Sequence, residues 1–179
     1  MYCTTVYESP VGVLTLAAKD DELVGLWIKK QKYFGDTVSE EMVQSDELPL
    51  FRKTKLWLDR YFDGLKPALT ELPLAPQGSG FRQEVWKALC EIPYGQVATY
   101  GAIARKMATL RGIPRMASQA VGGAVGHNPI SIIIPCHRVV GSNGSLVGYG
   151  SGLAAKIKLL ELEGVDTSQF SIPTRGTAL

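Results

Sequence analysis

Cys136 and His137 are adjacent in a chain that has three cysteines and two histidines. A cysteine acts as a nucleophile only as the thiolate, which a nearby base or cation makes accessible near neutral pH. Arg138 follows the pair as a cation. Because neighbouring side chains on an extended strand point to opposite faces, proton transfer from Cys136 to His137 requires a turn or a bridging water. Pro135 favours such a turn, so a candidate nucleophile, base and cation lie together.

The pattern alone leaves other roles for this cysteine open. A buried structural cysteine is the commoner role inside an apolar run. A metal site is disfavoured, because the cysteines are scattered and no Cys-x-x-Cys or His-x-x-x-His pair occurs. We therefore expect no metal and no cofactor. A Cys-His hydrolase is a remoter alternative, which would need an oxyanion hole that the sequence does not reveal.

The residues around the Cys-His pair predict the elements that hold it. The β-branched residues over 130–134 and 139–140 predict a buried, extended strand that breaks at the pair. Asn143-Gly144 between short apolar runs predicts a hairpin. Downstream, 148–152 is a glycine-rich loop, and the apolar spacing over 153–163 predicts a helix.

The segment before the pair predicts two helices joined by a glycine-containing connector. The first, over 100–107, has Thr99 as its N-cap, and the second, over 115–125, is rich in small residues. This arrangement predicts a helix-turn-helix-like motif, although the connector over 108–114 is longer than usual. The small residues allow close approach of another helix or of a DNA groove, and both interpretations stay open.

The N-terminal half predicts a different architecture. Residues 2–30 read as an antiparallel β-meander, and 50–62 has helical spacing. We expect 29–47 to be a loop and 69–74 to be a further edge strand. No residue of this half is a candidate for catalysis.

A Pro/Gly/Ser-rich stretch over 76–80 predicts a domain boundary. We therefore predict an α+β fold with an N-terminal α/β domain over 1–78 and a mainly helical C-terminal domain over 79–166. A helix over 81–91 begins the second domain. The polar tail over 167–179 is predicted to be poorly ordered.

The net charge of +2 conceals an asymmetry. Residues 1–80 carry nine Lys or Arg against twelve Asp or Glu, whereas 81–160 carry nine against two. The basic half is a candidate surface for a polyanion, and nucleic acid is the commonest such partner. A solvated basic face without a ligand is the alternative.

The remaining totals bound the class of protein. No apolar run approaches the roughly 18 residues of a membrane span, and the N-terminus lacks the charged and apolar regions of a secretory signal. Three cysteines, an odd number, argue against a disulfide framework. We expect a cytoplasmic protein that makes no membrane contact and acts as a monomer.

The hexapeptide Ile134-Pro135-Cys136-His137-Arg138-Val139 resembles the active-site signature of one family, the methylated-DNA–protein-cysteine methyltransferases or 6-O-alkylguanine-DNA alkyltransferases. Further segments between 81 and 164 resemble the same family in the same order. They are Phe81-Arg82-Gln83-Glu84-Val85-Trp86, Tyr94-Gly95, Thr99-Tyr100, Ala120-Val121-Gly122, Asn128-Pro129, Gly148-Tyr149, Gly152-Leu153, Lys156 and Glu163-Gly164.

The resemblance implies a stoichiometric repair reaction. A member of this family binds duplex DNA, rotates an alkylated guanine out of the stack and moves the alkyl group onto its own cysteine. The implied fold is a ribonuclease H-like N-terminal domain followed by a winged helix-turn-helix-like DNA-binding domain. The expected partner is double-stranded DNA that contains an alkylated guanine.

The resemblance also implies roles for individual residues. Cys136 would accept the alkyl group, His137 would deprotonate it through a water, and Glu163 would hold the imidazole in the right tautomer. Asn128 would support the active-site turn, and Tyr100 would protonate the guanine leaving group. Contacts to the substrate or to DNA would come from Arg138, Val147, Gly148, Tyr149, Gly150, Ser151 and Lys156.

One position departs from the family pattern. The family usually places an arginine before the Ala-Val-Gly segment of the second helix, and this chain has Gln119 there. We expect Gln119 to fill the space of the flipped base without bringing charge to the groove. We expect Arg115, one turn earlier, to contact phosphate.

A binding protein is the alternative class of function. A sensor of alkylated DNA, or a helix-turn-helix regulator, would recognise DNA without chemistry. Such sensors resemble the family but typically carry tryptophan in place of the cysteine. The presence of Cys136 therefore favours the enzyme.

Overall fold

The computed structural model describes residues 1–173. The chain forms two compact units: unit 1 comprises Met1–Gly78 and Pro129–Ile133, and unit 2 comprises Ser79–Asn128 and the chain from Ile134 onward. Five residues of the C-terminal half therefore belong to unit 1, which no linear division of the sequence indicates. Over 1–173, no helix is both long enough and apolar enough to cross a membrane.

Unit 1 contains a four-stranded sheet in the order β3-β2-β1-β4. The strands β1 (Tyr2–Ser9), β2 (Gly12–Lys19) and β3 (Glu22–Ile28) form the predicted antiparallel meander. A short strand β4 (Met42–Gln44) pairs in parallel with β1. The prediction of a loop over 29–47 is wrong at this strand, because three residues are too few to show a period of two.

The helix α1 (Pro49–Phe62) confirms the helical spacing of the N-terminal half and buries Phe51, Trp57 and Leu58. The edge strand predicted over 69–74 is wrong. Leu69–Glu71 is a 3₁₀ helix, and only Leu74 forms a bridge, in parallel with Leu23. Pro73 lacks the N–H group that a regular ladder would need, which the alternation of apolar residues does not reveal.

Gly25 leaves room for a buried indole in unit 1. A Cβ added at Gly25 would lie 2.0 Å from the ring of Trp27, which is 1% exposed and packs with Tyr2 and Ala17. We expect Gly25→Ala to displace the ring and to lower the free energy of unfolding by about 1–3 kcal/mol, measured by urea denaturation. Gly80→Ala is the control, because a Cβ at Gly80 meets nothing within 4 Å. Equal stability of the two variants would contradict this account.

Unit 2 is mainly helical, as predicted. Its elements are α2 (Gly80–Leu89), β5 (Ala98–Thr99), α3 (Tyr100–Arg111), α4 (Ser118–Gly126), β6 (Val139–Val140) and α5 (Leu153–Leu162). The Ser79 hydroxyl caps α2, and the predicted cap at Thr99 is confirmed by the 3.0 Å hydrogen bond that Ala102 N–H donates to its hydroxyl. Trp86 joins α2 to α4 by donating its indole N–H to the carbonyl of Ala124, at 2.8 Å.

The helices α3 and α4 form the predicted helix-turn-helix-like pair with shifted boundaries. The helix α3 continues to Arg111, one turn beyond the predicted end, and stops at Gly112, which is left-handed with φ of 62°. A glycine in that conformation is a common helix C-cap. The helix α4 begins at Ser118 rather than at 115, so the connector spans 112–117 instead of 108–114 and contains Arg115.

The buried strand predicted over 130–134 is wrong in conformation and right in burial. The isoleucines Ile130, Ile132, Ile133 and Ile134 are at most 2% exposed. A γ-turn is closed by the 2.8 Å hydrogen bond from Ile133 N–H to Ser131 C=O, and its central residue Ile132 has φ of 72°. Positive φ is unusual for a β-branched residue. The composition of the run therefore favoured a strand, although the chain turns here.

The segment after the Cys-His pair contains the predicted turn but not the predicted hairpin. The turn predicted at Asn143-Gly144 is confirmed, with Gly141 N–H donating to Ser145 C=O at 2.7 Å. The predicted hairpin does not form in the described chain: β6 pairs in parallel with β5, and Ser145 forms an isolated parallel bridge with Ser171.

The predicted tail is ordered where the structure describes it. Thr167–Gln169 is a 3₁₀ helix, Phe170 packs against the buried Leu146 and Leu160, and Ser171 N–H donates to Gly144 C=O at 2.9 Å. The prediction of poor order is therefore wrong for 167–171. The rest of that prediction, over 174–179, lies outside the described residues.

Candidate active site

Cys136 lies in a tight double turn. Pro135 has φ of −82° and ψ of 62° and is the centre of an inverse γ-turn, closed by the 2.8 Å hydrogen bond from Cys136 N–H to Ile134 C=O. Cys136–Arg138 then forms a 3₁₀ helix. The turn expected at Pro135 is therefore present, and Cys136 and His137 do not alternate as they would on a strand.

Asn128 holds this turn from the end of α4. Its side-chain amide is buried and donates to the Ile134 carbonyl at 2.8 Å and to Cys136 Sγ at 3.0 Å. One side chain therefore fixes the backbone before the thiol and provides a hydrogen bond to the sulfur. A thiolate would be stabilised by this bond more than a thiol, because the charged acceptor forms the stronger bond.

Burial dominates the acid–base behaviour of the thiol. Cys136 is 4% exposed, and burial raises its pKa, although the Asn128 hydrogen bond and the charge of Lys156 act in the opposite direction. Burial likewise lowers the pKa of His137, against the opposing effect of Glu163. In the free protein at neutral pH, both residues are therefore neutral, unlike the thiolate–imidazolium pair of cysteines with lowered pKa.

We expect the reactivity of Cys136 toward iodoacetamide to increase with pH and to reach no plateau below the ordinary thiol pKa of 9.0. The sign follows from the raised pKa: the reactive thiolate forms only as the pH passes above that value. Peptide mass mapping separates Cys136 from Cys3 and Cys90. A plateau already below pH of about 7 would show a preformed thiolate and contradict the expectation.

Glu163 lies beside His137 at the C-terminus of α5. His137 Nε2 lies 2.7 Å from Glu163 Oε1, and both side chains are fully buried. Burial alone would raise the pKa of Glu163, but the hydrogen bonds from His137 and Arg138 outweigh it and hold that pKa at about 2. The carboxylate is thus ionised, so Nε2 carries the imidazole proton and Nδ1 is the basic nitrogen.

Two residues predicted to contact DNA are buried instead. Arg138 is 8% exposed and pairs with Glu163, at 2.8 Å from Nε to Oε2. Lys156 is 0% exposed and donates to the carbonyls of Val139 and Val147. The predicted DNA contacts of Arg138 and Lys156 are therefore wrong, because their charged groups satisfy internal acceptors.

Tyr100 lies on the rim of an open cavity of about 750 Å³ in unit 2. Its hydroxyl donates to the carbonyls of Val147 and Gly148, at 3.1 and 3.3 Å, and burial raises its pKa. Gly148 has φ of 70°, and a Cβ there would lie 3.0 Å from the Tyr100 hydroxyl. The cavity is lined by Tyr100, Gly101, Ser118, Gln119, Gly122, Gly141, Ser142, Asn143, Val147 and Gly148.

Two family models together cover nearly all of the chain. The model for the ribonuclease-like domain of 6-O-methylguanine DNA methyltransferase matches 1–76, and the model for the DNA-binding domain of the same family matches 80–165. The chain belongs to this methyltransferase family. The resemblance predicted from the sequence is thereby confirmed, together with the α+β fold class.

Individual relatives agree with the family models. A methylated-DNA–protein-cysteine methyltransferase from Haemophilus influenzae is 42% identical over 159 residues, which cover 89% of this chain and 84% of the relative. One from Methanosarcina acetivorans is 44% identical over 159 residues, covering 89% and 96%. The crystal structure of Mycobacterium tuberculosis OGT in complex with DNA has 39% identity and a TM-score of 0.77, covering 94% of each chain.

Apart from the buried Arg138 and Lys156, the predicted site residues fall into three groups. The hydrogen bonds above join Asn128 to Cys136 and His137 to Glu163. A second group, Tyr100, Gln119, Val147 and Gly148, lines the cavity. Arg115 is exposed in the connector, and Tyr149, Gly150 and Ser151 are half-buried in the loop before α5.

Gly95 is a site residue that the sequence indicated only as part of a tight turn. It has φ of 78°, and its N–H donates to Glu163 Oε2 at 3.2 Å. A Cβ there would lie 2.9 Å from the Glu163 carbonyl. The Tyr94-Gly95 pair of the family pattern was the available signal, but it gave no indication that the partner was Glu163.

Proposed function

We propose that the chain repairs 6-O-methylguanine in double-stranded DNA by transferring the methyl group to its own Cys136. The buried thiol beside Asn128, one residue before the His137–Glu163 pair, carries this proposal. Family membership supports the reaction class, because the relatives above are named for methyl transfer to a protein cysteine. A sensor that binds without transfer is not favoured, because the acceptor thiol is present.

The proton of the thiol leaves through a relay. His137 accepts it through a bridging water, and Glu163 stabilises the imidazolium that forms. The carboxylate stays ionised, because its pKa of about 2 is far below that of an imidazole. Glu163 therefore orients and stabilises the base without taking the proton.

The thiolate then attacks the methyl carbon of the lesion. A sulfur–carbon bond forms, the bond between this carbon and the 6-oxygen breaks, and its electron pair moves into the guanine ring. The Tyr100 hydroxyl gives a proton to the leaving base, and the proton held by His137 restores the tyrosine through solvent. The products are guanine and a neutral thioether at Cys136.

The lesion reaches Cys136 only outside the base stack, because pairing and stacking shield the target atom. We assign the extruded base to the cavity beside Tyr100, where the Val147 and Gly148 backbone would hold its edge. A cavity of about 750 Å³ has room for a nucleobase with its sugar.

The exposed face of α4 supports contact with the DNA groove. A Cβ added at Gly123 meets nothing within 4 Å, so packing inside the chain does not require the small residue there. The two acidic residues of the basic segment over 81–160 form ion pairs, Glu84 with Arg111 and Glu91 with Lys106. Arg115 and Arg105 line a second concavity at the connector and are the proposed phosphate contacts.

Gln119 is exposed on α4 at the edge of the cavity. We expect Gln119→Ala to slow repair of duplex DNA by about fivefold, the equivalent of one hydrogen bond to the orphaned base. Repair of free 6-O-methylguanine base should be unchanged, because that substrate has no partner strand. Gln96→Ala, at another exposed glutamine of unit 2, is the control. Equal duplex repair by both variants would exclude the Gln119 assignment.

The reaction is proposed to end after one turnover. A thioether is a poor leaving group, and removing the methyl group would require a second nucleophile. Cys90, the other cysteine of unit 2, has a pKa raised to about 11 by burial and is therefore a thiol at neutral pH. Each repaired lesion consumes one molecule of the protein.

The test is incubation with duplex DNA that contains one 6-O-methylguanine, followed by intact-mass measurement of the protein. We expect an increase of one methyl group and loss of the lesion from the DNA. Cys136→Ser should show neither change, whereas Cys90→Ser should behave as the unmodified chain does. An unchanged protein mass after exposure to lesion DNA would overturn the proposal.

A further inference from the structure

Arg138 makes three polar contacts that all point inward. Nε donates to Glu163 Oε2 at 2.8 Å and Nη2 donates to Glu163 Oε1 at 2.9 Å, which is the two-point contact that a guanidinium forms with a carboxylate. Nη1 donates to the Ile92 carbonyl at 2.6 Å. The contact with Ile92 anchors the guanidinium to the turn after α2, so its position does not depend on Glu163 alone.

The Glu163 carboxylate accepts four hydrogen bonds from three residues. Oε1 accepts from His137 Nε2 and Arg138 Nη2, and Oε2 accepts from Arg138 Nε and Gly95 N–H. Both oxygens therefore accept a hydrogen bond from the guanidinium. The orientation of the Glu163 carboxylate toward the imidazole therefore depends on the position of Arg138.

We propose that Arg138 is a positioning residue for methyl transfer, which holds Glu163 as a fixed acceptor for His137 and limits the basicity of the imidazole. This inference rests on the proposed function, since it assigns His137 as the base. It also corrects the sequence prediction for Arg138, because it gives the cation a partner inside the protein in place of DNA phosphate.

The charges that face His137 give the proposal its electrostatic basis. Glu163 favours the imidazolium, whereas Arg138, Lys156 and burial oppose it. A buried carboxylate without its guanidinium would favour the imidazolium more strongly, and an imidazolium cannot accept the proton of Cys136. Arg138 leaves the hydrogen bond between His137 and Glu163 in place, and its positive charge offsets most of the negative charge of the carboxylate.

The direct test is the pKa of His137 in the free protein, measured from the ¹⁵N shifts of the imidazole. The chain has two histidines, so His127 is an internal control. We expect Arg138→Gln to raise the pKa of His137 by about one unit. Arg138→Lys should leave the pKa of His137 near that of the unmodified chain, because it keeps the charge.

Single-turnover repair of lesion DNA gives the second readout. For Arg138→Gln the low-pH decline of the rate should move upward with the pKa of His137. At pH 7.5 we expect Arg138→Gln to slow methyl transfer about tenfold, which is only part of the effect of losing a general base. Arg138→Lys should also transfer the methyl group more slowly at every pH, because an ammonium cannot hold both carboxylate oxygens. The pH at which its rate declines should not move upward.

A double variant separates positioning from simple support of the fold. If Arg138 acts through Glu163, then Arg138→Gln should slow transfer by less than about threefold when Glu163 is already glutamine. The double variant also removes both members of the buried ion pair, which folded proteins tolerate better than the loss of one. Should Arg138→Gln alone fail to fold, the comparison of Glu163→Gln with the double variant, and the Arg138→Lys rate and pKa, decide the question.

An unchanged pKa of His137 in folded Arg138→Gln would overturn the inference, and so would equal losses from Arg138→Gln in both backgrounds. If Arg138→Gln does not fold, full activity of Arg138→Lys or a further loss in the double variant of more than about tenfold would overturn it. The histidine titration needs no DNA. Failure of the unmodified chain to take up the methyl group would therefore refute the proposed function separately.

Discussion

Replacement of Glu163 by glutamine is expected to slow methyl transfer from DNA to Cys136 by about 10²- to 10⁴-fold, the range for loss of an oriented general base. The glutamine side chain has one oxygen, whereas the carboxylate accepts four hydrogen bonds on two. Its amide group would face donors from His137, Arg138 or Gly95. The imidazole would then lose its tautomer, its orientation or both.

The measurement is the single-turnover rate at pH 7.5, with Glu161→Gln as the control. Glu161 is exposed on the same helix, α5, and accepts a hydrogen bond from the Thr167 hydroxyl. Glu163→Gln also leaves Arg138 without its carboxylate, at an expected cost of about 3–5 kcal/mol in stability. Thermal unfolding must therefore show that the variant is folded at the assay temperature. A folded variant with an unchanged rate would exclude the relay.

Loss of the Asn128 side chain is expected to have the next largest effect. Asn128→Ala removes the hydrogen bonds to Cys136 Sγ and to the Ile134 carbonyl, so the buried thiolate becomes less stable and the turn before it loosens. Hydrogen bonds to charged groups contribute about 1.5–3 kcal/mol, which corresponds to a rate loss of roughly 10- to 150-fold. The loss should appear for the free base as well as for duplex DNA.

Asn128→Asp separates the two functions of this amide. Aspartate keeps the shape but has no N–H group when ionised, and its charge would repel the thiolate. We therefore expect Asn128→Asp to be at least as slow as Asn128→Ala, and the iodoacetamide reactivity of Cys136 to shift to higher pH in both variants. Full activity of Asn128→Asp would show that Asn128 has only a packing role.

Much of the fold followed from local sequence signals. The β-meander, α1, the Thr99 cap and the helix before Gly164 all have apolar periods or cap residues that act within a few positions. The predictions were wrong where contacts with a distant part of the chain determine the local structure. β4 depends on β1 for its pairing, and residues 130–133 of the apolar run belong to unit 1 although they lie far along the chain. The β-branched residues of this run favour a strand by composition, but the chain forms turns there.

The candidate site divides in the same way. Cys136 and His137 were identifiable as a reactive pair because they are adjacent, and the link to Glu163 came from a family resemblance rather than from any spacing. The roles of Arg138 and Lys156 were wrong because a cation in the sequence does not reveal its partner. Glu163 lies 25 positions from Arg138, Val139 lies 17 positions from Lys156, and both cations are buried.

The most direct test of the account uses DNA in which the methyl group of 6-O-methylguanine carries deuterium. After reaction and proteolysis, we predict that the label lies on the peptide containing Cys136, with one methyl group per protein molecule however much lesion DNA is added. The DNA should be left with unmodified guanine at the lesion. Label on Cys3 or Cys90, label released to solvent, or more than one lesion repaired per molecule would contradict transfer to Cys136 in a single turnover.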